Sequence, residues 1–203
     1  MNLTKSRLAI ELSKLQVFSS PDPALEQYPT DSQIASDILW HAFMNNKLTT
    51  VSDLGAGTGI LGLGAALLNA DKVYLVDKDK SALSIAKNNQ SSLESRYGKL
   101  PIKYYNCDIS QFSTKVDTVI MNPPFGVQTV HADKTFLEQA FNIADTIYSV
   151  HKIESKKFIQ KLVEDNNFQV VEILKFSFPL KASMQHHTKK VKRLDVGCWV
   201  IQR

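Results

Sequence analysis

Only two cysteines, Cys107 and Cys198, occur in 203 residues. Disulfide stapling is therefore not how this chain is stabilised, and no CxxC pair offers the spacing of a zinc site. No apolar run is long enough to cross a bilayer. Residues 1–18 lack the charged, apolar, small-residue order of a secretion signal. Leu8, Leu12 and Leu15 instead share one face of an expected helix, with Lys5, Arg7, Glu11 and Lys14 off it. Low-complexity tracts and internal repeats are also missing. The charge is nearly balanced: 24 Lys and Arg against 20 Asp and Glu leave +4. That mild bias permits a nucleic-acid partner without demanding one. With 43% apolar and 22% charged residues, the chain is expected to form one cytoplasmic domain over residues 1–203, with a substantial core.

Past a proline-punctuated stretch, "SSPDPALEQYP" (19–29), Thr30 or Asp31 is placed to cap a helix from Ser32 to about Phe43. From residue 49 the pattern alternates. Strands are expected at 49–54, 72–77, 102–108, 116–121 and 146–151. Helices are expected through Leu68, over 81–95, over 136–145 and over 154–166. Two long segments, 169–178 and 196–202, read as a closing antiparallel pair. The order implies an α/β Rossmann-like fold: about seven strands, mostly parallel, an antiparallel strand at one edge, and helices on both faces. Ligands of such sheets lie beyond the carboxyl ends of the strands, where strand order reverses.

The first strand runs through Asp53 into "LGAGTGILGLG". Gly55, Gly57 and Gly59 fit the GxGxG of a methyl-donor site, and Gly57, Gly59 and Gly62 fit the GxGxxG of a dinucleotide site. Asp77 ends the second strand about 20 residues on, where a carboxylate takes ribose hydroxyls in either kind of site. The third strand ends at Cys107-Asp108-Ile109, with an acid for an adenine amino group and an apolar cover for the ring. Cys107 beside them reads as a small buried hydrophobe.

The fourth strand ends on Asn122-Pro123-Pro124-Phe125, and here the two readings separate. Two prolines cannot pair in a sheet and their φ angles are fixed. An exocyclic amine is a poor nucleophile, and two acceptors, one per N–H, hold it in the pyramidal form that attacks. Asn122 Oδ1 and the Pro123 carbonyl supply the pair, and Phe125 a ring for the base to stack on. Hydride transfer gives this corner no role; methyl transfer does.

With these residues the chain resembles the Rossmann-like S-adenosylmethionine (SAM)-dependent methyltransferases that carry the [DN]PP[FYW] amino-methylating motif. More narrowly, it is similar to the small ribosomal-RNA adenine-N6 methyltransferases of archaea and eukaryotes, which share "LEQYPT" and "VIMNPPFG", here Leu25–Thr30 and Val119–Gly126. The likeness includes "SVHK" (149–152) and the late "FPL…HHTKK" segment. It implies that residues 1–48 supply helices and a loop that covers the donor, and 49–203 the catalytic core. SAM contacts would come from Gln27, Thr30, Asp53, Gly55, Gly57, Thr58, Ile60, Asp77, Asp108, Ile109 and Asn122. Asn122, Pro123, Pro124 and Phe125 would receive a target adenine of RNA, small-subunit ribosomal RNA in particular. A small zinc-binding activator protein accompanies eukaryotic relatives. Ala56 and Thr58 stand where family members often have cysteines, which leaves the backbone role of the loop intact.

Lys181, His186, His187, Lys189, Lys190, Lys192 and Arg193 gather before the last strand. They read either as a solvated face or as a grip on RNA phosphates; the paired histidines lack companions for a metal. The alternatives to RNA are the same chemistry on a protein glutamine amide or a DNA base, an inactive RNA-binding module, and an NAD-dependent oxidoreductase.

Overall fold

The computed structural model describes residues 3–18, 29–124, 132–180 and 192–203. Helix α1 (Lys5–Ser13) starts on Thr4, whose side chain accepts from Arg7 N. Helix α2 (Ser32–Met44) is capped by Asp31, not Thr30; its carboxylate takes the N–H groups of Gln33 and Ile34. Then strand and helix alternate as β1 (Thr50–Leu54), α3 (Ile60–Leu67), β2 (Lys72–Asp77), α4 (Lys80–Tyr97), β3 (Ile102–Asn106), β4 (Thr118–Met121), α5 (Ala132–Ile143), β5 (Thr146–Lys152) and α6 (Lys156–Asp165). The pair β6 (Gln169–Leu180) and β7 (Lys192–Gln202) closes the chain.

One seven-stranded sheet results, in the order β3-β2-β1-β4-β5-β7-β6. β1 to β5 are parallel, and β7 runs antiparallel between β5 and β6. The antiparallel character expected at one edge is there. The chain lays β6 at the rim and fills the gap with β7 on its return.

Two apolar cores sandwich the sheet. On one face Leu8, Leu12, Ile38, Leu39, Leu63 and Leu93 of α1–α4 meet Val51, Val73, Leu75 and Ile120. On the other, Leu137 and Phe141 of α5 and Ile159 and Val163 of α6 meet Val76, Val119, Met121, Ile147 and Trp199. α1 is further tied to α4 through Glu11, fully buried, which pairs with Arg96 as well as with Arg7 and Lys14.

The ends of several elements differ from expectation for local reasons. β3 stops at Asn106 because Asp108 caps a 3-10 turn, Ile109–Gln111, accepting from Ser110 N. β4 begins at Thr118 because Asp117 turns its carboxylate to Thr50 N and Oγ1. α5 opens at Ala132, four residues early, and ends at Ile143, whose carbonyl accepts from Val116 N. A 3-10 turn, Ile153–Ser155, precedes α6. Cys198 is buried, but Cys107 is only partly so; it packs at the margin of the second core and is not a fully buried hydrophobe.

Candidate active site

β1 and β4 are neighbours, and from them the connections lead outward in opposite directions, so a crevice opens beyond their carboxyl ends. The register shows what meets there. Asp53 pairs with Ile120 and Leu54 with Val76. Carried one or two residues past these pairs, the register leads Gly55 out between the strand ends that bear Asp77 and Asn122. Residues far apart in sequence thus line up across three strand ends.

The glycine loop is held open by its backbone. Gly55, Gly57 and Gly59 have φ of +69°, +53° and +89°, a region that side chains strain to enter. Gly55 N and Ala56 N donate to the carbonyl of Val76 at 2.8 and 3.0 Å. A Cβ on Gly55 would come within 2.8 Å of the Phe136 ring, and one on Gly57 within 3.0 Å of Phe18. The loop leads into α3, where Ile60 is the first residue; Thr58 is buried.

Two acids anchor this loop. Asp53 lies beneath it, 2% exposed, and accepts from Gly62 N at 2.8 Å. Burial pushes its carboxyl up to about 7; the Gly62 hydrogen bond opposes the shift and the neighbouring Asp77 charge adds to it. Asp77 accepts from Gly57 N through Oδ2 and from Asp79 N through Oδ1, both at 2.8 Å. Burial raises its pKa as well. Asn106 braces the same bend, donating to the carbonyls of Asp77 and Lys78 at 3.0 Å. Beside it Asp108 Oδ1 accepts from Ser110 N and Oγ, which hold its carboxyl below the usual range. Ile109 is 7% exposed.

Asp53 has a consequence for stability. The folded state keeps its proton up to about pH 7, the unfolded chain only to about 3.8. Its contribution is therefore full below pH 3.8 and declines as pH rises through 7. Asp53→Asn, which can still accept from Gly62 N, is expected to gain on the wild type by up to about 4 kcal/mol between pH 4 and 7. Urea unfolding at a series of pH values measures this; parallel curves for the two proteins would refute it.

At the end of β4, Asn122 donates through Nδ2 to Thr30 Oγ1 at 3.0 Å. Its Oδ1 is buried and accepts from none of the described residues. Buried carbonyl oxygens are rarely left so. Pro123 is buried and Pro124 partly buried. The crevice therefore combines a bend-locked backbone, an unsatisfied acceptor, a left-handed glycine loop and an acid at the next strand end. An organic donor with a ribose fits the loop and acid, and an N–H donor fits Oδ1. Among the described residues no group of three or more His, Cys, Asp or Glu side chains could hold a metal.

Of the residues singled out from sequence, Thr30, Asp53, Gly55, Gly57, Thr58, Ile60, Asp77, Asp108, Ile109 and Asn122 to Pro124 lie at this end of the sheet or directly under it. Gln27, Phe125, Lys181, His186, His187, Lys189 and Lys190 fall outside the described residues. Lys192 and Arg193 begin β7. Sequence reasoning missed Phe18, Phe136 and Asn89. Asn89 had a signal: it falls on the apolar stripe Ala82, Ala86, Leu93 of α4, where a polar residue needs a reason. No membrane-length apolar helix exists among the described residues.

Comparison with known proteins agrees with this geometry. Residues 30–148 match the methyltransferase small domain family. The chain is 36% identical to the rRNA N(6)-adenosine-methyltransferase METTL5 of Danio rerio, across 91% of this chain and 92% of that one. It is 33% identical to an uncharacterised protein of Methanocaldococcus jannaschii, across 99% and 95%. A crystal structure of PH1948 from Pyrococcus horikoshii superposes with a TM-score of 0.87 at 39% identity, covering 98% of each chain. The chain thus belongs to the methyltransferase small domain family and, within it, to the family of the rRNA N6-adenosine methyltransferases.

Proposed function

We propose that this protein transfers a methyl group from SAM to the exocyclic N6 of an adenine in RNA, in particular small-subunit ribosomal RNA. The observation that carries the reading is Asn122 Oδ1, buried at the end of β4 with no partner among the described residues, at the same end of the sheet as the left-handed glycine loop.

When bound, SAM supplies a methyl group already activated on a sulfonium. The chain's task is then to position and to polarise. Gly55, Gly57, Thr58 and Ile60 would border the methionine end, with Asp53 bracing the loop from below. Asp77 would take the ribose hydroxyls, and Asp108 with Ile109 the adenine. Gln27 and Thr30 would come from the donor-covering part of residues 1–48, over a core of 49–203. Asn122 Oδ1 and the Pro123 carbonyl would each accept one N6–H of the target. That frees the nitrogen lone pair to form the N–C bond as the S–C bond breaks. The N6 proton leaves to water afterwards, so no strong base is called for. Pro124 keeps the carbonyl aimed, and Phe125 would stack on the extruded base. Lys181, His186, Lys189, Lys190, Lys192 and Arg193 would hold RNA phosphates, which makes binding salt-sensitive.

A cytoplasmic location and a small zinc-binding activator belong to the same reading through the family resemblance. Among the described residues β3 and β6 are the edge strands of the sheet, to which such a partner could add. The test is incubation with labelled SAM and unmodified small-subunit ribosomal RNA, followed by nucleoside mass spectrometry. Label is expected in N6-methyladenosine. Label only in protein would point to a glutamine amide, and no transfer despite SAM binding would overturn the assignment.

A further inference from the structure

We infer that Asn89 is a positioning residue for the methyl donor, strapping segment 16–18 across the glycine loop. The inference rests on the methyltransferase reading above and names a residue that no motif of the family reading includes.

Asn89 lies in α4 and is 2% exposed. Its Oδ1 accepts from Gln16 N at 2.8 Å. Its Nδ2 donates to Gln16 O and to Thr58 O, both at 3.0 Å. One amide therefore grips both backbone groups of Gln16, as a neighbouring strand would, and holds the glycine loop with its remaining hydrogen. Every donor is used, and the opposite rotamer of the amide would set N–H against N–H, so the orientation is determined. The grip is not a helix cap: α1 already closes through Lys14 N to Glu11 O and Leu15 N to Leu12 O.

Two residues beyond Gln16, the Phe18 ring lies where a Cβ on Gly57 would come within 3.0 Å. Gly57 N in turn donates to Asp77 Oδ2. Two lines of contact thus run from the strap to the donor site: Gln16–Asn89–Thr58, and Phe18–Gly57–Asp77. Leucine at 89 keeps the branching of the amide, though it is bulkier, but leaves Gln16 N and O and Thr58 O without these partners, which frees the strap and loosens the loop.

The experiment compares wild type, N89L and F18A by SAM titration calorimetry, RNA-binding anisotropy and steady-state methylation. N89L is expected to raise the Kd and KM for SAM about tenfold or more. RNA affinity and kcat at saturating SAM should stay within about threefold. F18A should shift the same two SAM constants in the same direction. A purely structural role predicts otherwise: fewer active molecules, a lower kcat and an unchanged KM for SAM, and that result would overturn the inference. If leucine prevents folding, N89S, which leaves space and a hydroxyl, carries the same expectation. A wild-type protein that bound no SAM would instead refute the methyltransferase reading, so the two failures are distinct.

Discussion

Asn122→Ala is expected to lower the methylation rate about 10²- to 10³-fold at saturating SAM and RNA, the usual cost of removing one preorganised polar group from a reacting centre. The loss follows from the geometry. Oδ1 is buried with no partner among the described residues, so its desolvation is already incurred before substrate arrives. An amine placed there gains the full interaction. Alanine removes that acceptor and also the donor to Thr30 Oγ1, so SAM affinity should fall only several-fold. Asn122→Asp should retain more activity than the alanine variant. One carboxylate oxygen can still accept from the amine, and the other can accept from the Thr30 hydroxyl, reversing the present bond. Single-turnover measurement with nucleoside mass spectrometry separates the cases. An alanine variant of near-normal rate would remove Asn122 from the chemistry.

Asp77→Asn is a conservative change in shape, yet SAM binding is expected to weaken about 10²-fold. Each oxygen of Asp77 accepts a backbone N–H at 2.8 Å, from Gly57 and from Asp79. Whichever way an asparagine is turned, its NH₂ faces one of those donors. A buried donor left unsatisfied costs about 1–3 kcal/mol of folding stability, in free and SAM-bound protein alike. Affinity falls through the lost charged ribose acceptor, a bond of about 1.5–3 kcal/mol, which at 1.4 kcal/mol per factor of ten gives the expected size. Calorimetric titration with SAM reads it directly, with circular dichroism as the check on folding. Unchanged affinity would place the ribose elsewhere than at the end of β2.

The alternation of strands and helices, and the chemistry of "DLGAGTG" and "NPPF", were legible because each depends on neighbours in sequence. A glycine forced to positive φ, a proline pair ending a strand and an acid closing the next strand carry their reasons locally. Boundaries were less legible. Asp108 ends β3 early and Asp117 delays the start of β4, because each finds a hydrogen-bond donor that periodicity does not reveal: Ser110 N two residues on, and Thr50 N at the start of β1.

By itself the sequence determined that this is a mostly parallel α/β sheet with a glycine turn, two acids at strand ends and an amide-proline corner. Only the tertiary structure decided that they converge. Strand order puts β1 between β2 and β4, so the glycine loop leaves the sheet between the strand ends that bear Asp77 and Asn122. It alone turned Asn89 inward to join Gln16 with Thr58. The physical reason is that hydrogen bonds between residues 30 to 90 positions apart are chosen by packing, after the chain has collapsed, whereas turns and caps are chosen by the residues beside them.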